Sequence, residues 1–423
     1  MKDISMPERN VMVISHLWTT NTICENYCDG IKENSDNYCF VDYMYLYIKT
    51  GKKGFERKIE GMIIEKRINY IFFILGSSDL TFDINFIKKL SESSFIVMNF
   101  FDTEYFFDSS DKYYAQAANL VLLPDYLSKF RYELLNINAM CSFSLFSKSR
   151  YSCRNNLEKN IDVSFVGSLL TKNRKEYIDY LVKNNVRIEP YGEGTSNGYV
   201  GFDNMLSIFR GSKINLNFTS TNADSTLFGL NIKNRIKQCK GRPIEIALCG
   251  GFVLSEYAPG MEKMFEIGKE IDVFRTKEEL LQKIHYYLIN EKERDDIAGR
   301  GHERAIEDYD AKTAFAKIFS NINIYAKRDS NVHLDEDFIR NYATFRFLYI
   351  GLFLLNRKYK NAFEEFRVFL KYRKINYRSF RMHCRYVAAI FFYKHKRAKN
   401  ILRNILGLPK YPYDAPSKAE LTI

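Results

Sequence analysis

Short, uninterrupted apolar runs separated by helical patterns constrain this chain more than any other feature. Asn10 to Ser15 (NVMVIS), Ile68 to Leu75 (INYIFFIL), Phe95 to Phe101 and Leu120 to Leu123 each read as a strand without a polar face. Between them, helix-like stretches fall around Thr22 to Lys32, Gly54 to Lys66 and Asp83 to Ser91. A strand that is apolar on both sides must be covered on both sides, and a parallel sheet flanked by helices does this.

The pattern then stops and restarts. Ser147 to Asn160 is polar and irregular and reads as a linker. After it come a strand at Val163 to Val166, a helix at Arg174 to Asn184, a strand at Val186 to Pro190, a helix at Phe202 to Arg210 and a strand at Ile214 to Phe218. Helices at Lys277 to Asn290 and Glu293 to Tyr309 close the second half. Two α/β halves in series imply a cleft between them, with ligands bound beyond the carboxyl ends of the strands. A chain of 423 residues suits two or three domains. The expected division is 1–150, 155–330, a helical segment 331–408 and an extended tail 409–423. In the helical segment, Phe338 to Leu355, Asn361 to Tyr372, Tyr377 to Tyr393 and Arg397 to Ile405 carry amphipathic patterns.

Charge separates this last segment from the rest. From Asn331 onward there are 19 Lys and Arg against 7 Asp and Glu, which accounts for the whole +12 of the chain. Such a surface suits an anionic partner, and an anionic membrane face through residues 331–408 is the expected one. No clear nucleic-acid motif is present. The eight cysteines form no C-x-x-C pair, and Cys24 and Cys28 have no matching His or Cys pair nearby. They read as reduced, buried thiols, and no metal site is expected. The polar start MKDISMPERN lacks a signal-peptide pattern, and no apolar run reaches the roughly 18 to 20 residues of a membrane span. A cytoplasmic protein is expected, held peripherally at the inner face of the membrane.

One stretch carries chemistry. In Lys240 to Tyr257 (KGRPIEIALCGGFVLSEY), a basic loop leads into Pro243, which suits the first turn of a helix. Glu245 lies one turn in, and Gly250-Gly251 follow the helix before a strand. A helix N-terminus with cations beside it attracts anions. A glycine pair after a helix also serves simply as its cap.

The run Lys240, Gly241, Arg242, Glu245, Gly250 and Gly251 resembles the donor-binding segment of CgeB-like glycosyltransferases, which have the GT-B fold. Ile161 to Ser168, Tyr191 to Gly194, Ser212 to Phe218 and Phe265 to Glu270 fall in the order found there, so residues 160 to 320 carry the resemblance. It implies an α/β protein of two Rossmann-like domains, here followed by the basic helical extension.

The implied reaction moves a hexosyl or related group from a nucleotide-sugar to a cell-envelope acceptor, lipid-linked or polysaccharide. The nucleotide-sugar is a substrate, and neither a cofactor nor a metal is expected. Gly167 and Ser168 would approach the diphosphate, with Lys240, Arg242 and the helix N-terminus opposite. Glu245 would accept ribose hydroxyls. Tyr191, Gly192, Asn215 and Asn217 would line the base or ribose pocket. Lys237 stands eight positions before Glu245, where a larger retaining family of this fold has a second glutamate. It is placed with the donor-binding set, and the resemblance leaves retention and inversion both open. For acceptor activation the candidates are Asp102, just past the third apolar run, and His16, just past the first, with Glu104 behind them. Asp102 also suits a helix cap. The same chemistry on a protein or nucleic-acid acceptor, and a non-catalytic nucleotide- or glycan-binding protein, are the alternatives.

Overall fold

The apolar runs form two parallel sheets. The computed structural model describes residues 8–16, 23–75, 79–151, 158–170, 172–221 and 236–394. The first sheet holds β1 (Asn10–Ser15), β2 (Asn37–Asp42), β3 (Tyr70–Ile74), β4 (Phe95–Asn99), β5 (Leu120–Leu123) and β6 (Ala139–Cys141), in the order β2-β1-β3-β4-β5-β6. β1, β3 and β5 are buried at every position, as an all-apolar strand requires. β2, at the sheet edge, is half exposed and carries a mixed sequence, so no apolar run announces it.

Helices α1 (Ile23–Glu33), α2 (Tyr43–Glu65), α3 (Ile84–Leu90), α4 (Thr103–Phe106), α5 (Lys112–Ala115) and α6 (Ser128–Glu133) belong to the same half. Asp42 caps α2 by accepting from Tyr45 N–H at 2.9 Å. The helix breaks at Gly51 (φ 70°, ψ 173°), so the sequence pattern beginning at Gly54 marks only its second part.

After the short α7 (Lys148–Tyr151), the second sheet begins with β7 (Ile161–Val166). Then come α8 (Lys172–Lys183), β8 (Ile188–Tyr191), α9 (Phe202–Gly211) and β9 (Ser212–Asn217). A small antiparallel pair, β10 (Ser220–Thr221) and β11 (Ile236–Lys237), is followed by α10 (Arg242–Leu248), β12 (Val253–Glu256) and β13 (Asp272–Phe274). The sheet order is β13-β12-β9-β7-β8. α11 (Lys277–Ile289) and α12 (Glu291–Asp308) complete this half.

Each sheet therefore has its first strand between its second and third. The switch points lie between β1 and β3 and between β7 and β9, and the strand ends there open into a crevice.

The chain crosses between the halves twice, and the two crossings lie side by side. Phe146 N–H donates to Tyr309 C=O at 3.0 Å, and Ala311 N–H donates to Phe146 C=O at 2.9 Å. Beyond this point α13 (Ala311–Asn321) packs on the first sheet through Ala311, Phe315, Ile318 and Phe319. The chain is thus back on the first half before residue 330, the expected end of the second. α14 (Glu336–Leu355), α15 (Tyr359–Tyr372) and α16 (Tyr377–Lys394) extend the same half. α14 buries Phe338, Phe345, Tyr349 and Phe353 in the core shared with α2 and the first sheet. The expected helix Arg397 to Ile405, the tail from Pro409 and the turn at 76–78 lie outside the described residues. No described helix is long and apolar enough to cross a membrane.

Candidate active site

A pocket of about 380 Å³ opens at the β7/β9 switch point, a volume suited to a small ligand. Val166 and Gly167 at the end of β7, and Asn217 and Phe218 at the end of β9, form its floor. Lys240, Gly241, Arg242 and Glu245 line one wall, and Arg174 from α8 lines it too. Phe165 of β7, with Ile23, Phe146 and Tyr151, which precede the second sheet in the chain, completes the lining.

Three cations face this space. Among the described residues, the Lys240 ammonium has no hydrogen bond or ion pair, and burial pulls its pKa below the ordinary lysine value against the opposing pull of Asp102. Burial also lowers the pKa of Arg174, whose Nη1 donates to Ser168 C=O at 3.1 Å. Among the described residues, its Nε is buried without a partner. Arg242 lies over the Phe209 ring and places Nη1 2.8 Å from Glu245 Oε2. Cations outnumber carboxylates here, so the pocket attracts an anion. Arg174 escaped the sequence reading because its position, one turn into the helix after the Gly167 turn, marks no motif by itself.

Glu245 is held from two sides. Tyr151 OH donates to its Oε1 at 3.0 Å and Arg242 occupies Oε2. Burial and the Glu245 charge push the Tyr151 phenol well up, so it remains a donor. A carboxylate has about four acceptor directions, so Glu245 retains capacity for ligand hydroxyls. Tyr151 lies in the stretch read as linker.

Several expected donor-binding residues have other partners. Gly250 has φ +74° and caps α10: its N–H donates to Ala247 C=O at 2.8 Å, and Gly251 N–H donates to Ile246 C=O at 3.0 Å. This is a Schellman cap, and neither glycine lines the pocket. The Ile244 and Glu245 N–H groups both turn back to Gly241 C=O, and Pro243 has none. Gly241 serves as a contact: a Cβ there would stand 2.7 Å from the Phe146 ring.

Asn215 is buried and donates to Phe209 C=O at 3.0 Å while accepting from Ser164, which ties the sheet to α9. Asn217 lines the pocket but donates to Ser255 Oγ at 2.8 Å. Tyr191 OH donates to Glu189 at 2.5 Å, and Gly192 packs its backbone under the Gly167 carbonyl. Ser168 follows Gly167, and its Oγ accepts from Leu170 N–H at 3.3 Å. Lys237 lies 3.3 Å from the buried Glu256, which also accepts from Thr219 and Ser220.

A second pocket, about 160 Å³, lies between the two sheets and shares Ile23, Lys240 and Gly241 with the first. The first half contributes Phe101, Asp102, Glu104 and Pro124; the second contributes Gln238 and Cys239. Gln238 Nε2 donates to Glu104 Oε2 at 3.2 Å and reaches Asp102 Oδ1 at 3.5 Å. Burial, with the charges of Asp125 and Asp102, raises the Glu104 pKa to about 8. Asp102 occupies the N-cap position of α4, yet its side chain makes no capping bond. His16 lies elsewhere: its Nδ1 is 2.8 Å from Asp42 Oδ1, and it lines neither pocket. It follows β1, two strands from β4, so roughly 10 Å separates these strand ends.

Residues 156–320 match the model of a family described as Glycosyl transferase-like. No curated protein matches the chain. Among solved structures, Anabaena Alr3699/HepE in complex with UDP superposes with a TM-score of 0.55 at 13% identity, covering 74% of this chain and 99% of that one. The same protein in complex with UDP-glucose gives a TM-score of 0.53 at 14% identity, again over 74% and 99%. At such identities the likeness is one of fold, the pair of Rossmann-like domains of the GT-B type.

Proposed function

We propose that this GT-B glycosyltransferase takes a sugar from a nucleoside-diphosphate donor bound at the ends of β7 and β9. The acceptor is a hydroxyl of a cell-envelope glycan, lipid-linked or polysaccharide, held between the two sheets. The observation that carries the donor reading is the convergence of Arg174, Lys240 and Arg242 on one pocket. The Anabaena structures with UDP and UDP-glucose support the same donor class. Glu245, oriented by Tyr151 and Arg242, accepts hydrogen bonds from donor hydroxyls.

The acceptor oxygen forms its bond to the anomeric carbon as the bond to the diphosphate breaks. Negative charge gathers on the departing diphosphate, and fixed cations in a partly dry pocket stabilise it. Such cations supply what a metal ion would otherwise supply. The acceptor proton passes to Glu104 or Asp102, on the opposite side of Lys240. A carboxyl with a pKa of about 8 is well matched to proton transfer near neutral pH. The charge excess after Asn331 supports docking of the extension 331–408 on an anionic membrane, near a lipid-linked acceptor.

Thermal denaturation of the full chain with UDP, GDP and CMP tests the donor site. At least one nucleotide should stabilise the wild type, and Arg174→Ala and Lys240→Ala should lose the effect. If no nucleotide stabilises the chain, the donor reading fails. Slow hydrolysis of the nucleotide-sugar, abolished in Glu104→Gln, separates an enzyme from a binder.

A further inference from the structure

α15 presents two apolar faces, and only one of them is used. Ala362, Glu365 and Phe369 are buried toward α14 and α2. Tyr359, Phe363, Phe366 and Leu370 recur at intervals of four, three and four and so form a second stripe along the helix. They are 65%, 60%, 39% and 42% exposed. Beyond this stripe, on the side away from the buried face, the exposed Lys360, Arg367 and Lys371 form a net-basic row that also carries the half-buried Glu364.

An apolar stripe beside a cationic row, on a helix anchored by its other face, is the pattern of a helix lying in a membrane interface. We propose that the Tyr359–Phe363–Phe366–Leu370 stripe of α15 inserts among the headgroups of an anionic lipid surface, with Lys360, Arg367 and Lys371 pairing with lipid phosphates. This rests on the reading that the basic extension faces a membrane, and it names the surface that does so. Charge argues against two other occupants. A second copy would bring equal basic rows together. The chain's own segment 395–423 carries six Lys and Arg against two Asp and Glu, and so is also basic.

Sedimentation of the full chain with vesicles tests the proposal. One set contains phosphatidylcholine alone and the other equimolar phosphatidylcholine and phosphatidylglycerol. The wild type should bind the anionic set, with binding weakened by salt. Phe363→Ser with Phe366→Ser should reduce the partition at least tenfold, and Lys360→Gln, Arg367→Gln and Lys371→Gln by about fivefold each. Nucleotide-dependent thermal stabilisation of each variant reports that the fold and donor site are intact. Binding to anionic vesicles that is unchanged in the Phe363/Phe366 variant overturns the stripe and leaves the membrane reading standing. Absence of vesicle binding overturns both. A dimer in solution that dissociates in the same variant assigns the stripe to a second copy and also overturns the proposal.

Discussion

Gln238 Nε2 lies 3.2 Å from Glu104 Oε2, and the two residues come from opposite halves of the fold. The amide of one half thus contacts the carboxyl pair of the other, beside the ammonium of Lys240. Among the described residues, Gln238 Oε1 is buried without a partner, so the contact is stabilised from one side only. The larger pocket and the acidic pocket meet at Ile23, Lys240 and Gly241, the residues that line both.

Glu104, with a pKa of about 8, should set the pH dependence of transfer. As a base it acts when deprotonated, so the rate should rise with pH and level off above about 8. Glu104→Gln should lower kcat by about 10²- to 10⁴-fold and remove the rising limb. A pH–rate profile of both proteins checks this. An unchanged limb in the variant would assign the titration to another group.

Stability should fall as pH rises through the same range. Asp111 is buried, and burial raises its pKa to about 7. Glu104 and Asp111 both hold protons in the folded chain that the unfolded chain has released above the ordinary carboxylate range. Folded protein then binds more protons, so the unfolding free energy decreases with rising pH up to about 8. Denaturant titrations across this range should show the decline, and Asp111→Asn should shrink it.

Arg174→Ala should weaken nucleoside-diphosphate binding about tenfold or more, the scale of a lost hydrogen bond to a charged group. Arg174→Lys should recover only part, because an ammonium lacks the guanidinium fork that reaches Ser168 and the pocket together. Calorimetric titration with UDP or GDP reads both effects.

Tyr151→Phe removes one donor from Glu245 and leaves the Arg242 contact in place. Its cost in donor affinity should be about 1 kcal/mol, less than that of Glu245→Ala. Equal losses would show that Tyr151 is needed for more than orienting the carboxylate.

Arg346 and Glu365 form an ion pair at 3.3 Å with side chains 0% and 1% exposed, and Tyr47 OH donates to Glu365 at 2.5 Å. Glu365→Gln removes the counter-charge of a buried guanidinium that keeps only uncharged acceptors, and should cost about 3–5 kcal/mol of stability. Replacing both, as Arg346→Met with Glu365→Leu, should cost less than the single change. Urea unfolding midpoints of the two variants compare them.

Much of this was legible from local pattern. The wholly apolar runs around β1, β3, β4 and β5 announced parallel strands, and the restart after Asn160 announced a second sheet. Edge strand β2 was missed because an edge does not demand an all-apolar sequence. The Lys240–Glu245 run was visible for its charge and spacing, and Gly250 for its place after a helix. The cap reading of Gly250 and Gly251 accounts for their geometry, since φ +74° and the two backbone bonds are what a helix end needs. Asn215 looked like a pocket residue because its burial and its bond to Phe209 are invisible in a strand pattern.

The sequence by itself determined the buried central strands, most of the helices and the basic character of the last quarter of the chain. These depend on periodicity and composition, which are properties of neighbours along the chain. Only the tertiary structure decided that Arg174, Tyr151 and Lys240 meet at one pocket, that Glu104 and Asp102 line a second pocket beside it, and that α13 to α16 return to the first half. Those facts depend on which side chains lose water together. Burial and long-range charge set them, and neither is written in the spacing of residues along the chain.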